Sequence, residues 1–303
     1  MKIAGRKLTG TTTFAMVVAG FAAALGGIDY LRDGASNAYV DRVATAEHLE
    51  PKDDMKATYE GRLVWVSGTP TGSNSVRDID FNIELPVLRL ERHSEIFQWQ
   101  EDSRKHRRYS VHWFAHGIDS RDFRQEEGHE NTGSIAYPDS SAEPTSYQIG
   151  PARLDRSYVD QMEVVKVPVT KEIYASLPDK IRAAYALSSE GTLVPGDDGH
   201  VRELKIGDNR TRFEGVYPNL VTVVGQYTNG TIVPVDIDGA LVDVLRNEST
   251  TLENIVADMR ATTHSWTVIL GVLSAALLGL GLVLLGLDFA RAEIELPPAR
   301  FGR

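Results

Sequence analysis

The chain has 303 residues, with 42 Asp plus Glu against 32 Lys plus Arg, a formal net charge of -10 and no cysteine. An acidic balance without a long basic run excludes a nucleic-acid partner, and the lack of thiols excludes disulfide staples and cysteine chemistry. Two uncharged apolar stretches near the ends leave a polar middle long enough for one large domain or two small ones.

The first apolar stretch, residues 8–28, follows Lys2, Arg6 and Lys7 and precedes Asp29, Arg32 and Asp33. It reads as an uncleaved anchor. A signal peptide is the alternative, because the short run 14–25 ends near the small residues Ala24 and Gly26. Residues 30–58 are mixed and polar. Ala38, Val43, Ala46 and Leu49 fall at helical spacing before Pro51, which predicts a short membrane-proximal helix.

The stretch EGRLVWVSG from Glu60 predicts a buried strand closed by Gly68 and Pro70. Residues 85–99 and 109–114 predict two more strands, separated by a charged tip at 101–108. A loop rich in Pro, Gly and Ser fills 131–146. Val164, Val165, Val167 and Val169 suggest a strand, and Pro178 with Asp179 opens a helix with Ile181, Ala184 and Tyr185 on one face. Residues 195–200 read as a loop, and 201–206 with 211–216 as a hairpin around Gly207-Asp208-Asn209. A three-stranded meander follows over 220–227, 231–235 and 240–245, turning at Asn229-Gly230 and Asp238-Gly239. Thr250 and Glu253 form a capping box for a helix carrying Leu252, Ile255, Val256 and Met259 on one face.

That helix leads into WTVILGVLSAALLGLGLVLLGL, residues 266–287, which holds no charge. At about 1.5 Å per residue it can cross a hydrocarbon core of about 30 Å, and its polar Thr267 and Ser274 can each bond the helix backbone. Positive charge at the N-terminus and at Arg291, Arg300 and Arg303 places both ends in the cytoplasm and the middle outside it. Both apolar segments carry small residues four apart, Ala15, Ala19, Ala23 and Gly27 in one and Gly271, Ala275 and Gly279 in the other. Such ridges predict that the segments pack on each other. LVWVSG at Leu63 and LVTVVG at Leu220 share a pattern that reads as coincidence, with a pair of related strands in one sheet as the alternative.

The chemical signals are sparse. His112 and His116 lie on one strand face with His129 further on and Asp119, Asp122, Glu126 and Glu127 between, but the spacing lacks the H-E-x-x-H form, and no metal site is expected. No G-x-S-x-G elbow is present, and Gly191, Gly196 and Gly199 sit among Pro and Asp, which repel phosphate. Trp65, Phe97, Trp99 and Trp113 read as core aromatics, with a ligand groove as the alternative.

Taken together, EGRLVWVSG at Glu60, LPVLRLERHSEIFQWQED from Leu85, RYS with Trp113, Asp119-Ser120 with Phe123, Gly128-His129 with Asn131, YQIG from Tyr147, Gly207-Asp208, LVTVVGQ and Val233-Pro234 resemble the LUMA family, also called the transmembrane protein 43 family. The resemblance implies an integral membrane protein with an uncleaved first anchor, a large non-cytoplasmic domain, no established enzymatic activity and no cofactor. Animal relatives look like inner nuclear and endoplasmic-reticulum membrane proteins that associate with themselves and with envelope proteins. This chain differs in having one apolar segment after the domain where the family commonly has several, and Thr132 where the family tends to have Pro. His112 and His116 fall outside the pattern. Motif residues of unassigned role are Glu60, Gly61, Trp99, Trp113, Ser120, Phe123, Gly128, His129 and Asn131.

The expectation is therefore an α+β protein, a β-rich extramembrane domain between an N-terminal and a C-terminal transmembrane helix. Its divisions are 1–28 (tail and first span), 29–264 (domain), 265–287 (second span) and 288–303 (tail). The expected role is a non-enzymatic scaffold in the membrane that forms a homo-oligomer or binds membrane-protein partners. A tethered ligand-binding module is the alternative, followed by a metal-dependent hydrolase around His129. Composition suggests a bacterial inner membrane with a periplasmic domain; a eukaryotic chain would sit in the endoplasmic reticulum or nuclear envelope.

Overall fold

The computed structural model describes residues 2–3, 6–7, 10–102, 108–237 and 239–294. Most of the expected charged tip, Asp238 of the second expected turn, and Arg300 and Arg303 lie outside the described residues. The chain divides into two compact units, one built on the two long helices and one spanning Glu47–Thr250.

In chain order, the short pair β1 (Lys2–Ile3) and β2 (Arg6–Lys7) precedes helix α1 (Gly10–Val43). The helix expected before Pro51 is the second half of α1, because no proline interrupts it; Val40 and Val43 are buried, while Ala46 and Leu49 lie beyond its end. Strand β3 (Glu47–His48) and helix α2 (Met55–Tyr59) follow, the helix capped by Asp54, whose carboxylate accepts from Ala57 N at 2.8 Å. Next come β4 (Leu63–Gly68), β5 (Thr71–Gly72), β6 (Val76–Asp78), β7 (Ile83–Leu85), the long β8 (Arg89–Glu101) and β9 (Tyr109–Phe114). Strands β10 (Ser140–Ala142), β11 (Tyr147–Ile149) and β12 (Ala152–Leu154) lead to α3 (Arg156–Asp160), capped by Asp155. β13 (Val165–Val167), α4 (Lys171–Ser176), α5 (Asp179–Ala184), β14 (Tyr185–Leu187), β15 (Leu193–Asp197) and β16 (His200–Val201) come after. The unit closes with β17 (Asn209–Val216), β18 (Val221–Thr228), β19 (Thr231–Val233), β20 (Val235–Ile237), β21 (Ala240–Val242) and β22 (Val244–Arg246), before helix α6 (Leu252–Ile294).

One sheet runs β10-β8-β17-β15-β14, with β9 on β8, β13 on β17 and β16 on β15. The other runs β3-β4-β18-β19-β12-β11-β5, with β22 on β18. The Asn229-Gly230 turn forms as expected, with φ of 50° and 81°, and joins β18 to β19. The second expected hairpin also forms, with Ile237 of β20 opposite Ala240 of β21 and Gly239 at φ 83°, but as a separate two-stranded sheet rather than a continuous meander, and β22 returns to β18. The expected loop at 195–200 is instead a second tight hairpin, with Asp198 and Gly199 at φ 47° and 82°. The hairpin expected around Gly207 is absent among the described residues, because β17 spends its edges on β8, β13 and β15. The two echoing segments are direct antiparallel partners, Trp65 of β4 opposite Val224 of β18.

Two apolar cores fill this unit. Val64, Val66, Ile149, Tyr158, Val223 and Ile232 belong to the first, and Phe81, Leu90, Ile181, Leu193 and Phe213 to the second. The second also encloses an ion pair: Arg92 reaches Asp78 at 2.9 Å and Asp80 at 2.8 Å, with Arg92 and Asp78 both buried. None of Trp65, Phe97, Trp99 and Trp113 is in either core; each is half-buried on an outward strand face.

In the helical unit, α1 packs on α6 as the small residues predicted, with Ala22 and Gly26 on the contacting face, while the side chains of Ala15 and Ala19 lie outside the described residues. Ser274 Oγ donates to Ala22 O at 2.8 Å, both residues being buried, and a side-chain carbon at Gly26 would stand 3.2 Å from that oxygen. Gly27, Gly271 and Gly279 meet nothing within 4 Å, and Ala23 and Ala275 are exposed. Arg260 adds an ion pair to Asp41 at 2.9 Å. The cap of α6 is Thr251, one residue beyond the expected Thr250, and accepts from Asn254 N at 3.4 Å. Among the described residues one helical stretch, Leu252–Leu284, is long and apolar enough to cross a membrane, the mean hydropathy of its most apolar 18 residues being 2.5. Among the described residues the expected first span is not shown as a second such stretch.

Candidate functional site

Alternation along β8 creates two faces. Leu90, Arg92, Ser94, Ile96 and Gln98 are buried, whereas Glu91, His93, Glu95, Phe97 and Trp99 are half-buried on the other side. Strand β9 pairs with the far end of β8, Tyr109 opposite Glu101. The segment after β9 then folds back over this hairpin, and polar side chains hold it there. Gln98 accepts from Ile118 N at 3.0 Å and donates to His116 O at 2.6 Å. Asn131 accepts from Trp99 N at 2.7 Å and donates to Trp99 O at 3.0 Å and Ile118 O at 3.1 Å. The asparagine thus substitutes for a neighbouring strand.

Between these two clasps the segment makes a short 3-10 turn at Ser120–Asp122, capped by Asp119. Ser120 is buried and donates to Glu126 Oε1 at 3.2 Å. The Tyr109 hydroxyl accepts from Gln125 N at 3.1 Å, and the Tyr109 ring lies 5.8 Å from that of Phe123. Gly128 takes φ 82°, a left-handed conformation that lets the chain turn before His129. The His129 ring stacks on Tyr109 at 3.7 Å and meets Trp99 edge-on at 4.9 Å. Its Nδ1 is buried without a hydrogen-bond partner. Beside these rings lies an open cleft of about 650 Å³ lined by Trp99, Asp102, Arg108, Tyr109, Gln125 and His129.

Two exposed carboxylates near the cleft are shifted, both downward. The Arg121 guanidinium, and then the Arg121 backbone N–H, hold Asp119 down at about 2. The Gly128 backbone N–H lowers Glu130. Depressed carboxylates do not serve as proton donors near neutral pH.

Six of the nine motif residues therefore gather in one place: Trp99, Ser120, Phe123, Gly128, His129 and Asn131. Trp113 lies along β9, its ring 5.2 Å from Phe97 and under the Arg210 guanidinium at 4.7 Å. Glu60 and Gly61 serve the β18–β19 turn instead. The Glu60 carboxylate accepts from Asn229 N at 3.1 Å, and Gly61 N donates to Tyr227 O at 2.9 Å. His112 and His116 flank Phe114 and do not join His129 in any metal-ligating group among the described residues.

The residues that sequence reasoning missed are on the middle of the same outward face. Glu91, His93 and Glu95 of β8 lie against Arg210, Arg212 and Glu214 of β17, with Glu91 opposite Glu214 and His93 opposite Arg212. Their only sequence signal is the two-residue step from Glu91 to His93, which puts both on one strand face.

A strand-rich domain carried in one chain with an apolar helix long enough to cross a bilayer is the make-up of a membrane protein. Residues 91–288 match the model of the family described as Transmembrane protein 43, and the chain belongs to that family. It is similar to human Transmembrane protein 43, 27% identical over 194 residues that make up 58% of this chain and 48% of the relative. The mouse protein is 30% identical over 120 residues, 35% of this chain and 30% of its own. The Drosophila melanogaster homolog is 23% identical over 212 residues, 60% of this chain and 51% of its own. The chain thus spans about half the length, or less, of these curated relatives. No solved structure matches it.

Proposed function

We propose that the protein is a non-enzymatic membrane scaffold whose strand-rich domain, outside the cytoplasm, binds a second copy or another membrane protein. In this reading both apolar segments are anchors, residues 1–28 and 265–287 hold the spans, and 29–264 form the exposed region. The carrying observation is how the motif residues are used. Asn131, Gln98 and Ser120 hold the folded-back segment, and His129 has aromatic neighbours with no partner on Nδ1. A catalytic histidine needs a partner that orients it and a converging acid or nucleophile. The family name carries no activity, and a bacterial inner membrane suits the composition.

The cleft beside Trp99, Tyr109 and His129 supports a second reading, a tethered module that binds a planar or sugar-like ligand. Crosslinking the full-length protein in its native membrane, followed by mass spectrometry, separates the two. Links to itself or to one recurring membrane protein are expected. A monomer with no protein neighbour overturns the scaffold and directs attention to the cleft.

A further inference from the structure

The outward face of β8 and β17 gathers a histidine and two carboxylates that the folded-back segment leaves alone. His93 Nε2 stands 3.4 Å from Glu214 Oε2 and 3.6 Å from Glu91 Oε2, and the three ligand atoms all lie within 4.8 Å of one another. Ligand atoms at about 2.0–2.1 Å from a tetrahedral zinc are about 3.4 Å apart, so the two shorter spacings are those of a coordination polyhedron. His93 Nε2 is itself buried and has no hydrogen-bond partner.

The surroundings point the same way. Glu91 Oε1 forms an ion pair with Arg89 Nε at 2.8 Å without hydrogen-bond geometry, and Glu214 Oε1 accepts from Arg212 Nε at 3.3 Å. Each guanidinium fixes its carboxylate and leaves one oxygen turned toward the imidazole. On the far side of the ring, Asp139 Oδ2 lies 3.7 Å from His93 Nδ1, while Asp139 Oδ1 is anchored by Ser94 N at 2.8 Å. At that distance Asp139 is a counter-charge behind the ring rather than a hydrogen-bond partner, and its negative charge favours a cation on the opposite nitrogen. The backbone sets this geometry, since Glu91 and Glu214 are register partners and His93 is two residues along the same face. The side chains of His93, Glu91 and Glu214 keep 28%, 26% and 32% of their exposure, so the group lies close under the surface although Nε2 itself is covered.

We propose that Glu91, His93 and Glu214 form a site for one divalent first-row transition ion of the zinc class, bound through His93 Nε2 and one oxygen of each glutamate. One nitrogen and two oxygens suit such an ion better than Mg²⁺ or Ca²⁺, which take oxygen ligands. The site is separate from the His129 cleft and does not depend on the scaffold reading.

The test uses the full chain, purified in detergent, stripped with a chelator and titrated with Co²⁺ and with Zn²⁺. The expected result is saturable uptake of one ion, visible d–d absorption for Co²⁺, and displacement of that absorption by Zn²⁺. His93→Gln and Glu214→Gln each weaken binding by at least tenfold, whereas His112→Gln, at an exposed position of β9 outside the triad, leaves it unchanged. Circular dichroism of each variant confirms folding. Absence of uptake, or uptake unaltered in both triad variants, overturns the site and leaves His93 as an ion-pair partner of the two glutamates. If either triad variant fails to fold, His93→Asn and Glu91→Gln are titrated in its place, and the same outcomes decide.

Discussion

Tyr158 and Gly225 compete for one space. The Tyr158 hydroxyl donates to Val224 O at 2.9 Å and occupies the position a side-chain carbon at residue 225 would take, with Val233 O and a methyl group of Ile232 close on its other sides. Gly225→Ala is therefore an overpacking change, expected to cost about 1–3 kcal/mol. Tyr158→Phe removes a buried hydrogen bond at about 1 kcal/mol. The double variant loses less than the sum, because removing the hydroxyl relieves one of the three clashes. Chemical denaturation of the four proteins measures this, and strict additivity contradicts the shared space.

Asn131 replaces a strand neighbour for Trp99, so Asn131→Ala exposes both backbone groups of that residue. The expected loss is about 1–3 kcal/mol. Asn131→Asp keeps the acceptor for Trp99 N and loses the donors to Trp99 O and Ile118 O. Hydrogen exchange at the Trp99 amide should accelerate strongly in the alanine variant and little in the aspartate one.

The Arg92–Asp78 pair is enclosed by the second core. Asp78→Ala leaves a buried guanidinium with only the half-exposed Asp80 as counter-charge, and a loss of about 3–5 kcal/mol is expected. Asp80→Ala should cost clearly less. Equal losses in thermal or chemical unfolding would argue against the burial of Asp78.

Asp119 supplies a pH test. Its folded pKa of about 2 lies below the ordinary carboxylate value, so its contribution to stability is complete above about pH 4 and is lost as pH falls through about 2. A carboxyl-carbon titration should show a midpoint near 2 that rises toward the ordinary value in Arg121→Ala. A wild-type midpoint at the ordinary value shows that the pair is not formed.

In the helical unit, Ser274→Ala removes the hydrogen bond to Ala22 O, worth about 0.6 kcal/mol and at most about 1.7 in a bilayer. Gly26→Leu should disturb helix packing far more, and Gly27→Leu should not. Disulfide trapping between cysteines introduced along α1 and α6 ranks the three.

Strands announced by local pattern were legible: residues 63–68, the paired stretches ending at Trp99 and Phe114, and the Asn229-Gly230 turn. What failed depended on partners distant in sequence. β17 could not be assigned to β8 rather than to a local hairpin, because its register with Glu91 and His93 is fixed across more than a hundred residues. The triad was invisible for the same reason. The small-residue ridges predicted that α1 and α6 pack, yet a four-residue spacing recurs on several faces of a Gly- and Ala-rich helix, so the contacting face was not readable. The cleft residues were recognisable as a group through the family pattern, although nothing in the sequence showed that Asn131 serves the backbone of Trp99.

The strand-rich unit begins at Glu47, paired with Val64 of β4, and ends at Thr250, whose carbonyl accepts from Ser67 of the same strand at 3.2 Å. The Thr250 amide is held by Thr222 of β18, the strand beside it. Both ends of the unit are thus fastened to the neighbouring strands β4 and β18 of one sheet. Tension applied through the polypeptide at Glu47 and Thr250 therefore meets this sheet first, and not the one that carries His93 and the His129 cleft.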